Sequence, residues 1–197
     1  MCIICISPKQ VRQPSDTVIE TMFRRNPHGA GYMYARDGKV IIHKGFMNLD
    51  DYLDSIHHEH FTAKDSVVYH CRISTQAGVT REMTHPFPLS NRPEHMRYLD
   101  LDCGIGVAHN GIIQLTSDTA EKEYSDTATF ITDYLSEIIT SPQDLRKREV
   151  LNTIYYLARS KFAIMDSTGY VARVGEFINE KGLLFSNNSY LPAYYYR

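Results

Sequence analysis

The chain has 197 residues, 43% of them hydrophobic and 22% charged, with a formal net charge of −2, which suits one sizeable domain with its own core. That balance lacks the basic footprint needed to neutralise a phosphate backbone, so nucleic acid is excluded as a direct partner. No window approaches the roughly 20 apolar residues of a membrane span. Nothing at the N-terminus has the form of a signal peptide, and four cysteines, at positions 2, 5, 71 and 103, fit free thiols in a reducing cytoplasm.

Cys2 to Ile6 reads as a buried strand ended by Ser7-Pro8, and Asp16 to Arg25 carries Val18, Ile19, Met22 and Phe23 at helical spacing. Asn26-Pro27-His28-Gly29-Ala30-Gly31 breaks that helix. Tyr32–Ala35 and Val40–His43 then flank Asp37-Gly38, the strongest short hairpin signal a sequence offers. Asn48 is placed to cap a short helix through Tyr52, Leu53 and Ile56, and the β-branched and aromatic run Ser66–His70 predicts a strand leading into Cys71-Arg72-Ile73-Ser74-Thr75. From Gln76 to about His95 the Gly, Pro and Asn content predicts a long surface loop, of the kind that serves as an active-site wall.

Met96–Leu101 and Gly104–Ala108 read as strands, the second ending in a chain reversal at His109-Asn110-Gly111. Ser125-Asp126-Thr127 caps an amphipathic helix in which Phe130, Ile131, Tyr134, Leu135, Ile138 and Ile139 recur at three and four residues, stopped by Ser141-Pro142. A second helix over Asp144–Arg159 precedes strands at Lys161–Asp166, Tyr170–Val174 and Leu183–Phe185. Strands, two helices and strands again predict a layered α+β domain with antiparallel sheets.

Cys2 is the first chemically suggestive residue. Once Met1 is removed it carries a thiol and a free α-amine together, so the residue's own nitrogen can serve as the base that activates its sulfur. The two groups titrate near pH ~8 and ~8.5, close enough for balanced proton transfer at neutral pH. The bland alternative is a small buried hydrophobe in an Ile-rich strand.

Cys2 after Met1, Asn26-Pro27-His28-Gly29-Ala30-Gly31-Tyr32, His70-Cys71-Arg72-Ile73-Ser74-Thr75 with His85-Pro86-Phe87, His109-Asn110-Gly111-Ile112-Ile113 and Ser125-Asp126-Thr127 together resemble the ordered motif set of class II glutamine amidotransferase domains. These are N-terminal-nucleophile hydrolases, and the resemblance spans roughly residues 2 to 190. It implies a four-layer αββα sandwich with two antiparallel sheets in a single domain over residues 1–197, in stand-alone form. It also implies a reaction: Cys2 attacks the side-chain amide of L-glutamine, releases ammonia and leaves a γ-glutamyl thioester that water hydrolyses. Asn110 and Gly111 would supply the oxyanion donors, Arg72 the grip on the substrate carboxylate and Asp126 the grip on its ammonium, with Thr75 and His85 lining the glutamine pocket. Alternatives remain at these positions, namely a plain turn at Asn110-Gly111, a surface ion pair at Arg72 and helix-dipole stabilisation at Asp126.

The chain departs from the family pattern at Ala77, where a Gly is usual, at Met83, where an Asn is usual, and at His28, where many relatives have Asp. No cofactor is implied. A metal site built from Cys2, Cys5, Cys71 and Cys103 is disfavoured, because strand alternation turns Cys2 and Cys5 to opposite faces and the other two are isolated; His57, His58 and His60 read as the solvated end of a helix. With no synthetase domain in the sequence, the expected ammonia acceptor is a separate ATP-dependent ligase or synthetase subunit. The competing functions are γ-glutamyl amide hydrolysis without transfer and an inactive binding or regulatory module of the same fold. Tyr190 and Tyr194–Tyr196 read either as an interface or as a packed strand.

Overall fold

The computed structural model of the chain describes residues 2–74, 80–114 and 124–192. Eleven strands lie among them: β1 (Ile3–Ser7), β2 (Ala30–Arg36), β3 (Lys39–Phe46), β4 (Val67–Cys71), β5 (Phe87–Pro88), β6 (Asp100–Cys103), β7 (Ile105–Asn110), β8 (Lys161–Asp166), β9 (Val171–Val174), β10 (Ile178–Glu180) and β11 (Leu183–Phe185). They form two sheets, both antiparallel throughout. The larger has the order β10-β11-β1-β4-β2-β3-β6 and the smaller the order β5-β7-β8-β9.

Helices cover the outer faces. α1 (Asp16–Arg25) and α2 (Leu49–His58) form where the sequence predicts them, and Asn48 caps α2 by accepting from Asp51 N at 2.9 Å. α3 (Asp126–Phe130) starts at Ser125, whose hydroxyl accepts from Ala128 N. It continues through a π-helical segment (Ile131–Leu135) to a last turn at Ser136–Ile138. The chain then pauses at a 3₁₀ turn (Pro142–Arg146) before α4 (Arg148–Ala158), so the predicted helix from Asp144 is broken at Lys147, where the backbone is extended.

Three packed layers of side chains lie between four layers of backbone. Ile3, Cys5, Tyr32 and Tyr69 of the large sheet pack against Ile19, Met22 and Phe23 of α1 and Tyr52 of α2. Phe87, Val107, Phe162 and Ile164 of the small sheet pack against Phe130, Ile131 and Leu135 of the α3 segment and Ile154 of α4. Between the sheets, Ile4, Ile6, Met33, Val40, Ile42 and Val68 meet Ala108, Ala163 and Met165. The small sheet's inward row is kept short: a side chain at Gly106 would run into Met33 Sδ at 2.6 Å. The α+β expectation, an αββα sandwich with two antiparallel sheets, therefore describes the molecule. Its hairpin turns at Asp37-Gly38, both residues at positive φ, as a two-residue primed turn requires.

Two further expectations need correction. The long segment after Gln76 is not simply a surface loop, because Met83, Thr84, His85 and Phe87 are at most 5% exposed and β5 forms an edge of the small sheet. Lys44 reaches through from β3 and donates to the carbonyls of Glu82 and Met96 at 2.7 and 2.6 Å, holding this stretch against the large sheet. Met96 belongs to a 3₁₀ turn (Pro93–Arg97), so the next strand begins only at Asp100. Neither 3₁₀ turns nor a two-residue strand is long enough to leave a periodic signal. The sequence reading has no counterpart of β10, which pairs at the edge of the large sheet with all three residues exposed and so has no alternation to detect. Tyr190 packs in the core, stacked on Phe185 at 3.8 Å between ring centres, whereas Tyr194–Tyr196 lie outside the described residues. No helix among the described residues is long and apolar enough to cross a membrane.

Candidate active site

Strand alternation assembles the site. On β1, Ile4 and Ile6 face the seam between the sheets while Ile3 and Cys5 face the helices, so Cys2 has the parity of the inward row. On β4, Val68 faces the seam, and His70 and Arg72 follow it at steps of two. The antiparallel register Ile3↔Cys71, continued by one residue, sets Arg72 opposite Cys2. On β7 the inward row Gly106, Ala108 ends at Asn110, which pairs with Lys161 of β8. Three of the residues singled out by sequence, Cys2, Arg72 and Asn110, thus lie at the same end of the seam.

Cys2 is half-buried. Its Sγ approaches the Ile73 carbonyl at 3.6 Å, and its own carbonyl accepts from Asn187 Nδ2 at 2.7 Å. Burial raises the thiol pKa, and the Arg72 guanidinium offsets part of that rise. Cys5 and Cys71, by contrast, are fully buried, and burial pushes both thiols well up, as befits core residues.

Arg72 is anchored through its backbone, which donates to Gly29 O at 2.7 Å and accepts from His28 N at 2.9 Å. Its Nη1 is buried and has no hydrogen-bond partner among the described residues. Burial lowers its pKa while Cys2 and Asp126 raise it, so the guanidinium lies within electrostatic reach of both. His28 accepts at Nδ1 from Ser74 N at 3.0 Å and so fixes the backbone just beyond Arg72.

Asp126 is the first residue of α3, and its carboxylate does local work on both sides. Oδ2 accepts from Ile113 N at 2.9 Å and Oδ1 from Thr127 N at 2.8 Å. The helix start is thereby joined to the segment that follows Gly111. Asn110 is 4% exposed; its Nδ2 donates to Ser186 Oγ at 2.8 Å and its Oδ1 has no partner. Gly111 sits at φ +151°, and a side chain there would collide with Ser160, so this position takes only glycine.

Below this end of the seam lies a row of three buried histidines. His70 Nε2 and His85 Nδ1 reach the His109 carbonyl at 3.0 and 3.1 Å, and His109 Nδ1 reaches Thr127 Oγ1 at 2.8 Å. Burial lowers all three pKa values, those of His70 and His109 to about 3, so the rings are neutral. His85 is thus held in the interior against the His70 ring, 4.3 Å between centres. Thr75 and Ala77 fall outside the described residues, and Met83 is buried. Among the described residues no group of three His, Cys, Asp or Glu side chains is arranged to hold a metal ion.

Sequence reasoning missed Ser186 and Asn187, which follow β11 and touch Asn110 and Cys2 respectively. The available signal was a polar run, Ser186-Asn187-Asn188-Ser189, set directly after an apolar strand; such a run reads as a turn.

No protein-family model matches the chain, and no curated protein matches its sequence. Solved structures do resemble it. One is glutamine phosphoribosylpyrophosphate (PRPP) amidotransferase from B. subtilis, complexed with ADP and GMP, at a TM-score of 0.55 and 16% sequence identity, with 94% of this chain and 41% of that chain covered. At that identity the likeness is one of fold, and this chain spans 41% of the length of the protein it matches.

Proposed function

We propose that this chain is a glutamine amidotransferase or glutaminase domain that hydrolyses the side-chain amide of L-glutamine through a γ-glutamyl thioester on Cys2. The observation that carries the reading is Arg72: a guanidinium nitrogen buried without a partner, with Cys2 and Asp126 as its acidic neighbours. A buried guanidinium nitrogen lacking a hydrogen-bond partner is costly, and a substrate α-carboxylate would satisfy it, with the fork of the guanidinium suited to a bidentate pair. The side-chain amide of the same amino acid would then extend toward Cys2, and Asp126 would take its α-ammonium.

In the proposed reaction the Cys2 sulfur attacks the amide carbon and gives its proton to its own α-amine, which requires that Met1 be removed. The negative charge on the former carbonyl oxygen is met by Asn110 and the Gly111 N–H. Collapse breaks the C–N bond, the α-ammonium returns its proton to the leaving nitrogen, and ammonia departs. Water, deprotonated by the same amine, then forms a C–O bond as the C–S bond breaks, releasing glutamate. Ammonia in neutral water becomes mostly ammonium and loses its nucleophilicity, so the reading extends to a separate ATP-dependent ligase or synthetase that receives it directly.

The test is to incubate the protein with glutamine and measure glutamate and ammonia. The two are expected in equal amounts, with none from Cys2→Ala; release that persists in Cys2→Ala contradicts the assignment.

A further inference from the structure

Ser186 follows the last residue of β11, is fully buried, and belongs to none of the motifs discussed so far. Its backbone N–H donates to Ile4 O at 3.0 Å and its Oγ accepts from Ile4 N at 2.8 Å. Its carbonyl accepts from Lys161 Nζ at 2.7 Å, and its Oγ lies 2.8 Å from the Asn110 carboxamide. One residue therefore ties the nucleophile strand, two positions from Cys2, to the end of β7 and to the register partner of Asn110. The neighbouring Asn187 holds the Cys2 carbonyl.

In this arrangement Oγ accepts from both Ile4 N and Asn110 Nδ2, which leaves the serine proton without an acceptor, while the buried Asn110 Oδ1 has no donor. A half-turn of the carboxamide gives the serine proton an acceptor and sets the two N–H donors of Nδ2 where the partnerless Oδ1 now lies. Oxygen and nitrogen of an amide have nearly the same shape, so packing is unchanged. Ser186 Oγ–H then donates to Oδ1, and Nδ2 swings to the side away from Ser186, where no described residue accepts from its N–H groups and an oxyanion would.

We propose that Ser186 is a positioning residue that holds the Asn110 amide in this orientation, so that Nδ2 is presented to the oxyanion formed during attack by Cys2. The proposal rests on the glutaminase reading. It follows that the serine hydroxyl contributes to transition-state stabilisation through Asn110, without itself touching glutamine.

A double-mutant cycle on the full chain tests this, with kcat and KM for glutamine measured alongside the rate of Cys2 alkylation by iodoacetamide, a substitution that creates no oxyanion. Ser186→Ala is expected to lower kcat by about 10²-fold, the scale of a misplaced catalytic group. KM and the alkylation rate should stay within about twofold of the parent. Asn110→Ala should cost about 10² to 10³-fold, and adding Ser186→Ala to it should cost nothing more, since the two act as a unit. Ser186→Cys, which keeps the shape with a weaker donor, should fall between parent and alanine variant and serves if the alanine variant does not fold. Losses that multiply in the double variant, or a fall in alkylation as large as that in kcat, would reduce Ser186 to a structural tie and overturn the proposal. An unchanged kcat would do the same. Absence of Cys2-dependent ammonia release from the parent instead removes the underlying reading.

Discussion

Arg72 Nη1 is buried and has no hydrogen-bond partner among the described residues, a state that a folded protein tolerates where a ligand completes it. Charge-assisted pairs of this kind are worth about 1.5 to 3 kcal/mol, so Arg72→Lys, which keeps the charge and loses the fork, should lower kcat/KM for glutamine roughly 10 to 100-fold. Most of that change should appear in KM, and steady-state kinetics that leave KM unaltered would assign the carboxylate elsewhere. The same residue sets the behaviour of the thiol. Burial raises the Cys2 pKa and Arg72 pulls it back, so the pH at which iodoacetamide alkylation reaches half its maximal rate should lie above that of an exposed thiol. It should rise further in Arg72→Ala, which keeps the burial and loses the guanidinium charge; a downward shift would contradict this geometry.

The strands deliver these residues through alternation, and this is the part of the site most legible in the sequence. Cys2, Arg72 and Asn110 each sit one step beyond an inward row, so their convergence follows once the strands pair correctly. Ser186 and Asn187 were not legible, because their contacts cross 76 and 185 positions of sequence and a polar run after a strand carries no distance information. Nor was the interior position of His85, since no helical or strand period marks the segment that carries it. Gly31 of β2 shows how closely that segment approaches: a side chain there would strike the His85 carbonyl, and would meet His43 O at 2.7 Å. Gly31→Ala should therefore destabilise by about 1 to 3 kcal/mol, the usual cost of overpacking, read as a lowered urea midpoint; an unshifted midpoint would mean that the segment yields freely. The histidine row adds a pH dependence. His70 and His109 titrate near pH 3 when folded and near ~6.5 when unfolded. Below pH ~6.5 the unfolded chain binds protons that the folded one does not, so the stabilising contribution is complete above that pH and is lost as pH falls toward 3. Each residue should remove about 1.4 kcal/mol per pH unit over that window, and His70→Gln should flatten the slope measured by urea unfolding between pH 7 and 5.

At the scale of the molecule, four layers and three cores give a rigid frame with one end of the inter-sheet seam occupied by polar side chains instead of apolar ones. Layer order was legible only through the family resemblance, since strand patterns state which faces are buried and not which sheet covers which. The likeness to a PRPP amidotransferase, at 16% identity and over 41% of that protein's length, is one of fold; passage of ammonia to a separate ligase belongs to the proposed function. On that reading, the rate of ammonia release should change when the cognate ligase is added, and a rate indifferent to every candidate acceptor would favour simple hydrolysis. The most direct measurement concerns the thioester itself: the protein is mixed with glutamine, quenched in acid, and analysed by intact mass and peptide mapping. The account predicts a γ-glutamyl adduct on the N-terminal peptide, at Cys2, in chains that have lost Met1. Ammonia release with no adduct at Cys2, or with the adduct on Cys5, Cys71 or Cys103, would contradict it.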